Sequence, residues 1–146
     1  MKVHYRIIND EIEIVRCFGT DPEIVVPEVI DGRQVKRMAP YAFSARKDHE
    51  DEDVLVFSTE EDGMFCDTEQ LLAGDAVEKV ILPDTMEELG RYIFYGCRNL
   101  RELCFSDRLQ NIGSGAFTGC RSLSVLRVRL LDGNRSCVPD ILGDLW

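Results

Sequence analysis

The sequence has little positive charge and no long apolar run. Its 146 residues carry 17 Lys and Arg against 27 Asp and Glu, a net charge of −10. Proteins that bind nucleic acid or anionic membranes need clustered Lys and Arg side chains. No stretch approaches the roughly 18 apolar residues of a membrane span, and residues 1–6 lack the apolar core of a signal peptide. We therefore expect no nucleic-acid partner, no membrane insertion and, for the sequence as given, a cytoplasmic protein. A surface location is expected if the sequence belongs to a longer chain.

Histidine is scarce, and cysteine occurs in no pattern typical of a metal site. The six cysteines, which form no C-x-x-C pair, are Cys17, Cys66, Cys97, Cys104, Cys120 and Cys137. A nucleophilic Cys–His pair needs a histidine beside a thiol of low pKa, and only Cys66 near His49 comes close in sequence; His4 lies far away. We expect buried reduced thiols, no metal, no cofactor and no catalytic residue, so the chain is predicted not to be an enzyme.

The acidity is concentrated in one segment. Residues 1–76 hold the whole net charge of −10, while residues 44–76 hold 11 acids against two bases. A solvated acidic loop is the simplest interpretation. Residues 48–53 (Asp-His-Glu-Asp-Glu-Asp) also offer the hard oxygen ligands that Ca²⁺ prefers, without the alternate spacing or the glycine of an EF-hand loop. Weak calcium binding through this run is therefore one alternative function.

A repeat of 23 residues is the strongest pattern in the sequence. A shift by 23 places Val80-Ile81-Leu82 on Leu103-Cys104-Phe105, Leu89-Gly90 on Ile112-Gly113, and Phe94, Gly96, Cys97, Arg98 and Leu100 on Phe117, Gly119, Cys120, Arg121 and Leu123. Such a period predicts a solenoid in which each coil adds a short strand and stacks on its neighbours. Cys97 and Cys120 then occupy equivalent corners about 5 Å apart, which favours a buried thiol ladder over a redox pair.

The strand pattern recurs less faithfully elsewhere and predicts about five coils. Strand starts at 24, 54, 80, 103 and 126 would stack their first and third side chains into the inner ladders 24/54/80/103/126 and 26/56/82/105/128. The second coil would be degenerate and acidic, with Leu71-Leu72 in the position that Phe94 fills in its own coil. The middle residue of each strand would face outward.

These motifs resemble the BspA-type bacterial leucine-rich repeat. Residues 94–100 and 117–123 both contain Phe-x-Gly-Cys-Arg-x-Leu, and residues 81–84 are Ile-Leu-Pro-Asp, similar to the family unit I-x-I-P-x-x-V-x-x-I-G-x-x-A-F-x-G-C-x-x-L. The resemblance is close over residues 77–128 and loose over 21–44. It implies an α/β leucine-rich-repeat solenoid, β-rich with short helical or 3₁₀ turns. Members of the family are usually surface or interaction proteins.

The predicted organisation has three parts. Residues 1–20 form a hairpin cap around Asn9-Asp10, residues 21–130 form the solenoid with an acidic insertion at 45–76, and residues 131–146 form a C-terminal cap or tail. The candidate protein-binding face consists of Val25, Leu55, Lys79, Ile81, Glu102, Cys104, Val125 and Arg127. We expect a non-catalytic scaffold for an unidentified protein partner. The alternative is a self-associating structural or cell-surface protein that pairs through its solenoid ends.

Overall fold

The computed structural model describes residues 1–45, 53–58 and 70–131. The strands are β1 (Lys2–Ile8), β2 (Glu11–Phe18), β3 (Glu23–Val25), β4 (Val29–Ile30), β5 (Arg33–Met38), β6 (Leu55–Ser58), β7 (Lys79–Ile81), β8 (Glu88–Leu89), β9 (Glu102–Ser106), β10 (Asn111–Ile112) and β11 (Val125–Arg129). Over these ranges the only helical element is a 3₁₀ turn at Gly74–Ala76, and none is long and apolar enough to cross a membrane. The fold is a β-solenoid, so the helical part of the α/β expectation is largely wrong.

Four parallel strands form what we call the repeat sheet, in the order β11-β9-β7-β3. Their register sets Ile24, Val80, Leu103 and Leu126 side by side. The first three of these side chains are buried, and Leu126 packs partly against the same core. Because side chains alternate along a strand, these four residues form the inner ladder that the 23-residue period predicts. Position 54 of the predicted ladder is absent from it.

Residues 54–57 are not a coil of this stack. Strand β3 pairs directly with β7, with no strand between them, and β6 pairs antiparallel with β1 instead. The predicted second coil, the ladder positions 54 and 56, and the count of five coils are therefore wrong. Leu55 and Val56 remain exposed, because a single short apolar run cannot build a coil without the corner residues that return the chain to the sheet.

A second sheet runs along the opposite side in the order β10-β8-β5-β2-β1-β6, and β4 pairs with β5. Its register places Met38 beside Leu89 and Leu89 beside Ile112. Strands β1 and β2 form an antiparallel hairpin whose turn residues Asn9 and Asp10 have φ of 52° and 64°, a conformation that Asn and Asp tolerate. The hairpin covers the N-terminal end of the core.

Three phenylalanine rings stack along the corner between the two sheets. The ring centroids of Phe43 and Phe94 lie 5.4 Å apart, and those of Phe94 and Phe117 lie 5.7 Å apart. Phe43 therefore supplies the ring of the first coil, and the prediction that Leu71-Leu72 replaces a ring is wrong. Leu72 instead donates its N–H to the Cys17 carbonyl at 2.9 Å, because this segment lies antiparallel beside the end of β2.

Candidate functional site

Two rows of side chains cross the outer face of the repeat sheet. The strand register gives one row of Val25, Ile81, Cys104 and Arg127 and a second row of Glu23, Lys79, Glu102 and Val125. The residues between them in each strand, such as Val80 and Leu103, point into the core. We call these eight residues the outer face. It brings together every predicted face residue except Leu55.

Leu55 belongs to the second sheet. It lies opposite Tyr5 in the pairing of β6 with β1, so the register does not place it beside Val25 or Ile81. Including it in the candidate face was wrong, for the same reason that the second coil was wrong: its strand joins the hairpin and not the stack.

Glu102 holds the centre of the outer face together electrostatically. Its carboxylate accepts from Lys79 Nζ at 2.8 Å and from Arg127 Nε. The hydrogen bond from Lys79, followed by the one from Arg127, lowers the pKa of Glu102, and the same bonds raise the pKa of Lys79 and of Arg127. Cys104 lies beside this bridge and is only 6% exposed. The central charges of the face are therefore already paired with one another.

The exposed apolar surface of the outer face lies towards β3. Val25 is 60% exposed, Ile81 is half-buried, and Glu23 is an exposed acid next to Val25. At the opposite side, Arg127 and Val125 on β11 are also exposed. The face thus has an apolar and acidic side at β3 and a more basic side at β11, with a neutralised centre between them.

A match to a family model identifies the repeat. Residues 68–130 match the model for the BspA type leucine rich repeat region, which is described with six copies. This stretch is a BspA-type leucine-rich-repeat region. No curated protein matches the chain.

Two solved structures are similar to the chain that contains the BspA-type region. A leucine rich cell surface protein from Faecalibacterium prausnitzii A2-165 superposes over 88% of this chain with a TM-score of 0.58 at 19% identity. The present chain covers 30% of that protein's length, so the likeness concerns the fold alone. A leucine rich repeat protein of T. pallidum gives a TM-score of 0.46 at 18% identity, over 97% of this chain and 90% of that one.

The Gly-Cys corners of the BspA-type repeat use their thiols structurally. Cys97 Sγ donates to the Phe43 carbonyl and Cys120 Sγ to the Phe94 carbonyl, each at 3.2 Å. Burial raises the pKa of Cys97 to about 12 and that of Cys120 to about 11. Such thiols carry almost no thiolate at neutral pH. They therefore join each corner to the preceding coil and are poor nucleophiles.

The other candidate chemistry falls mostly outside the described residues. Cys66, His49 and residues 48–52 of the acidic run lie there, so the Cys–His pair and the calcium hypothesis stay predictions. His4 packs its ring on Phe18, with centroids 4.5 Å apart. Across residues 1–45, 53–58 and 70–131, no group of three His, Cys, Asp or Glu is placed to hold a metal ion.

Sequence reasoning missed the charge pairing between neighbouring BspA-type coils. Arg98 Nη2 lies 2.6 Å from Asp75 Oδ2, and Arg101 Nη2 lies 3.5 Å from Glu78 Oε1. Each pair is separated by 23 residues, as are Lys79 and Glu102. The signal was present in the repeat itself, because opposite charges one period apart become neighbours when coils stack.

Proposed function

We propose that the chain is a non-catalytic protein-interaction module that binds its partner on the outer face of the repeat sheet. The carrying observation is the strand register, which gathers the exposed Val25, the half-buried Ile81 and flanking charges on side chains that take no part in the core. Solenoids commonly use such a face for binding, and an apolar patch with a charged rim suits contact with another protein.

The similarity to a solved structure supports a proposal about where in the cell the chain acts. The relative from F. prausnitzii is described as a leucine rich cell surface protein, and we extend a surface role to the present chain as part of the proposal. Surface proteolysis of intact cells of the native host tests this location. Cleavage of the protein in intact cells is the expected result, and protection until lysis would contradict it.

Capture from the native host tests the binding face. The immobilised chain is expected to retain a protein partner, and Val25→Asp is expected to abolish retention because a charge replaces the main apolar contact. Val29→Asp is a matched control: Val29 is 52% exposed on β4 of the same coil but lies outside the two rows. Equal retention by both variants, with unchanged melting temperatures, would remove the outer face from consideration.

Self-association through β11 is a second candidate function. Val125 N–H donates to the Arg101 carbonyl and the Arg129 carbonyl accepts from Asp107 N–H, so the backbone groups of Leu126 and Val128 point away from β9. In the described residues no strand pairs with this edge, and Leu130 next to it is 64% exposed. Light scattering at two concentrations should show a dimer that Val128→Lys dissociates. A monomer at both concentrations would exclude this function.

A further inference from the structure

We infer that the free edge of β3 is a separate peptide-binding site, which takes an extended peptide with alternating basic and apolar residues. The site consists of the backbone edge of Glu23–Val25 and the groove beside it, and we call it the β3 edge site. The side chains of Glu23 and Val25 belong to both the outer face and this site, but the outer face does not use the main-chain groups of β3. A peptide without backbone N–H groups therefore distinguishes failure of this site from failure of the outer face.

The backbone of β3 offers hydrogen bonds to an added strand. Val26 N–H donates to the Ile81 carbonyl at 2.9 Å, and because successive residues of a strand direct their N–H and C=O groups to opposite sides, those of Val25 point away from β7. The Glu23 carbonyl points the same way, while Glu23 N–H is already bonded to Asp21 Oδ1 at 2.9 Å. Among the described residues no strand pairs with this edge. Three main-chain groups are thus available for β-strand addition.

A groove of about 410 Å³ lies directly beside these groups. Its floor includes the buried side chains of Ile24 and Leu72, and Gly19 forms part of its wall. A strand that pairs with β3 directs every second side chain to one side. An apolar side chain of the added peptide would therefore enter the groove, while its neighbours on either side stay at the rim.

The rim is acidic, and its carboxylates form no ion pair with another of the described residues. Asp21 and Glu23 are the titratable side chains of the groove lining, and both are exposed. Lys79, which lies beside Glu23 in the register, is bound to Glu102 at 2.8 Å. Acids of later coils have cations from the next coil, as in the pair of Asp75 with Arg98. The α-ammonium of Met1 also lies in the lining, so the two carboxylates leave the groove with a net negative charge, which favours Lys or Arg in the peptide.

The length of the site limits what it can bind. Strand β3 has three residues and lies between Pro22 and Pro27, and proline cannot donate a ladder hydrogen bond. These prolines stop the sheet from extending along a long partner strand, as protected edges do elsewhere. The β3 edge site therefore fits a short peptide segment better than the long edge of another sheet.

The test uses three labelled nine-residue peptides of defined sequence. The probe alternates Lys and Val, the charge control alternates Glu and Val, and the pairing control is the Lys peptide with N-methyl groups on its five central residues. Fluorescence anisotropy should show binding of the probe, about 100-fold loss on N-methylation, since three backbone bonds contribute roughly fivefold each, and no binding of the Glu peptide. Absence of probe binding, or equal binding of the N-methylated peptide, would overturn the proposal.

Variants of the protein locate the binding. Glu23→Gln and Asp21→Asn should each weaken the probe about two- to fivefold, and Asn keeps the acceptor that Glu23 N–H uses. Asp31→Asn is the matched control, since Asp31 is an exposed acid of the same coil whose φ of 53° Asn tolerates. Gly19→Leu should block binding because its side chain fills the groove. The fold should tolerate this variant, since the added Cβ would lie 3.4 Å from Leu72, an ordinary contact distance. If Asp31→Asn weakens probe binding to the same extent, the effect comes from the net charge of the protein, and the proposed site is wrong.

Amide hydrogen exchange provides a readout that does not depend on a variant. Bound probe should slow exchange of the Val25 amide and leave that of Val26 unchanged, because Val26 N–H is already bonded to Ile81. The melting temperature of each variant is measured in parallel to confirm folding. Slowing at Val26 or on β9 and β11, without slowing at Val25, would place the peptide elsewhere.

Discussion

The second coil, residues 79–100, and the third coil, residues 102–123, end in the same corner motif, Phe-x-Gly-Cys-Arg-x-Leu, in different environments. Phe94 and Cys97 are fully buried, whereas their equivalents Phe117 and Cys120 are only partly buried. Both thiols nevertheless make the same 3.2 Å hydrogen bond to the preceding coil. The coil's own sequence thus fixes its shape and its bonds, while burial of the corner depends on what packs against each side of it. Among the described residues, no further corner follows that of the third coil.

Removal of the corner ring should have the largest effect and should distinguish the two coils. Phe94→Ala leaves a cavity between Phe43 and Phe117 and should lower the free energy of unfolding by about 3–5 kcal/mol. Phe117→Ala removes a half-buried ring and should cost about 1–2 kcal/mol. Chemical denaturation measures both. Equal losses would contradict the idea that stacking on both sides sets the contribution.

Substitution of the glycines that follow β8 and β10, Gly90 and Gly113, should lower the free energy of unfolding equally in the two coils. A Cβ on Gly90 would lie 2.3 Å from Pro40 N, and a Cβ on Gly113 would lie 2.3 Å from Arg91 N. Because each glycine touches the backbone of the preceding coil, both Ala variants should lose about 1–3 kcal/mol in the same denaturation assay.

Gly96→Ala is the control for these variants, since an added Cβ there meets nothing within 4 Å and only the φ of 76° opposes it, at a cost of about 1 kcal/mol. A Gly113→Ala variant as stable as wild type would show that the coils are not in backbone contact.

The buried thiols should make the folded protein sensitive to alkali. Burial raises the pKa of Cys97 from 9.0 to about 12, so the unfolded chain releases this proton first as the pH rises. Stability contributed by the protonated thiol is complete below about pH 9 and is lost as the pH approaches 12. A Cys97→Ala variant should show a weaker fall in melting temperature between pH 8 and about pH 11. An identical pH dependence would contradict the assignment.

Thiol labelling should separate the coils kinetically. With a disulfide reagent at pH 8, Cys120 should react faster than Cys97 because the third coil is less covered, although both bond to carbonyls. Mass spectrometry of the digested protein measures the order, and labelling in denaturant gives the control rates. Faster reaction at Cys97 would reverse the comparison.

Loss of an exposed ion pair should have the smallest effect. Arg98→Ala removes the pair with Asp75, in which both side chains are more than half exposed, and such pairs contribute little. Arg121→Ala, at the equivalent position of the third coil, serves as the control because no ion pair is found for Arg121 in the described part of the chain. Both should melt within about a degree of wild type. A large loss for Arg98→Ala alone would show that inter-coil charges stabilise the stack.

The repeat sheet was predictable because its signals are periodic. The 23-residue offset gave the positions of Val80, Leu103 and the corner rings, and alternation gave the rows of the outer face. The run at 54–57 was assigned to the stack wrongly because alternation cannot show which strand a segment will pair with. The pairing of Leu89 with Ile112 was missed because two residues are too few to carry a strand pattern.

The groove at β3 was not predictable in this way. Its walls come from Met1, Gly19, Glu23 and Leu72, which are distant in sequence and belong to no repeat. Only the folding of the hairpin and of the chain after the acidic run onto the first coil brings them together. Local composition at any one of these positions contains no sign of the cavity.

The carbonyl of Phe43 marks a point where the solenoid can be interrupted. It accepts from Gly74 N–H at 2.8 Å and from Cys97 Sγ at 3.2 Å, so the chain departs after this corner and resumes the coil one hydrogen bond away. The two ends of the intervening segment are therefore held together by the stack itself. A change in the length of this segment should therefore leave the register of the coils unaltered as long as β6 stays paired with β1 and Leu72 keeps its bond to Cys17, which makes this corner a natural site for diversification and for grafting.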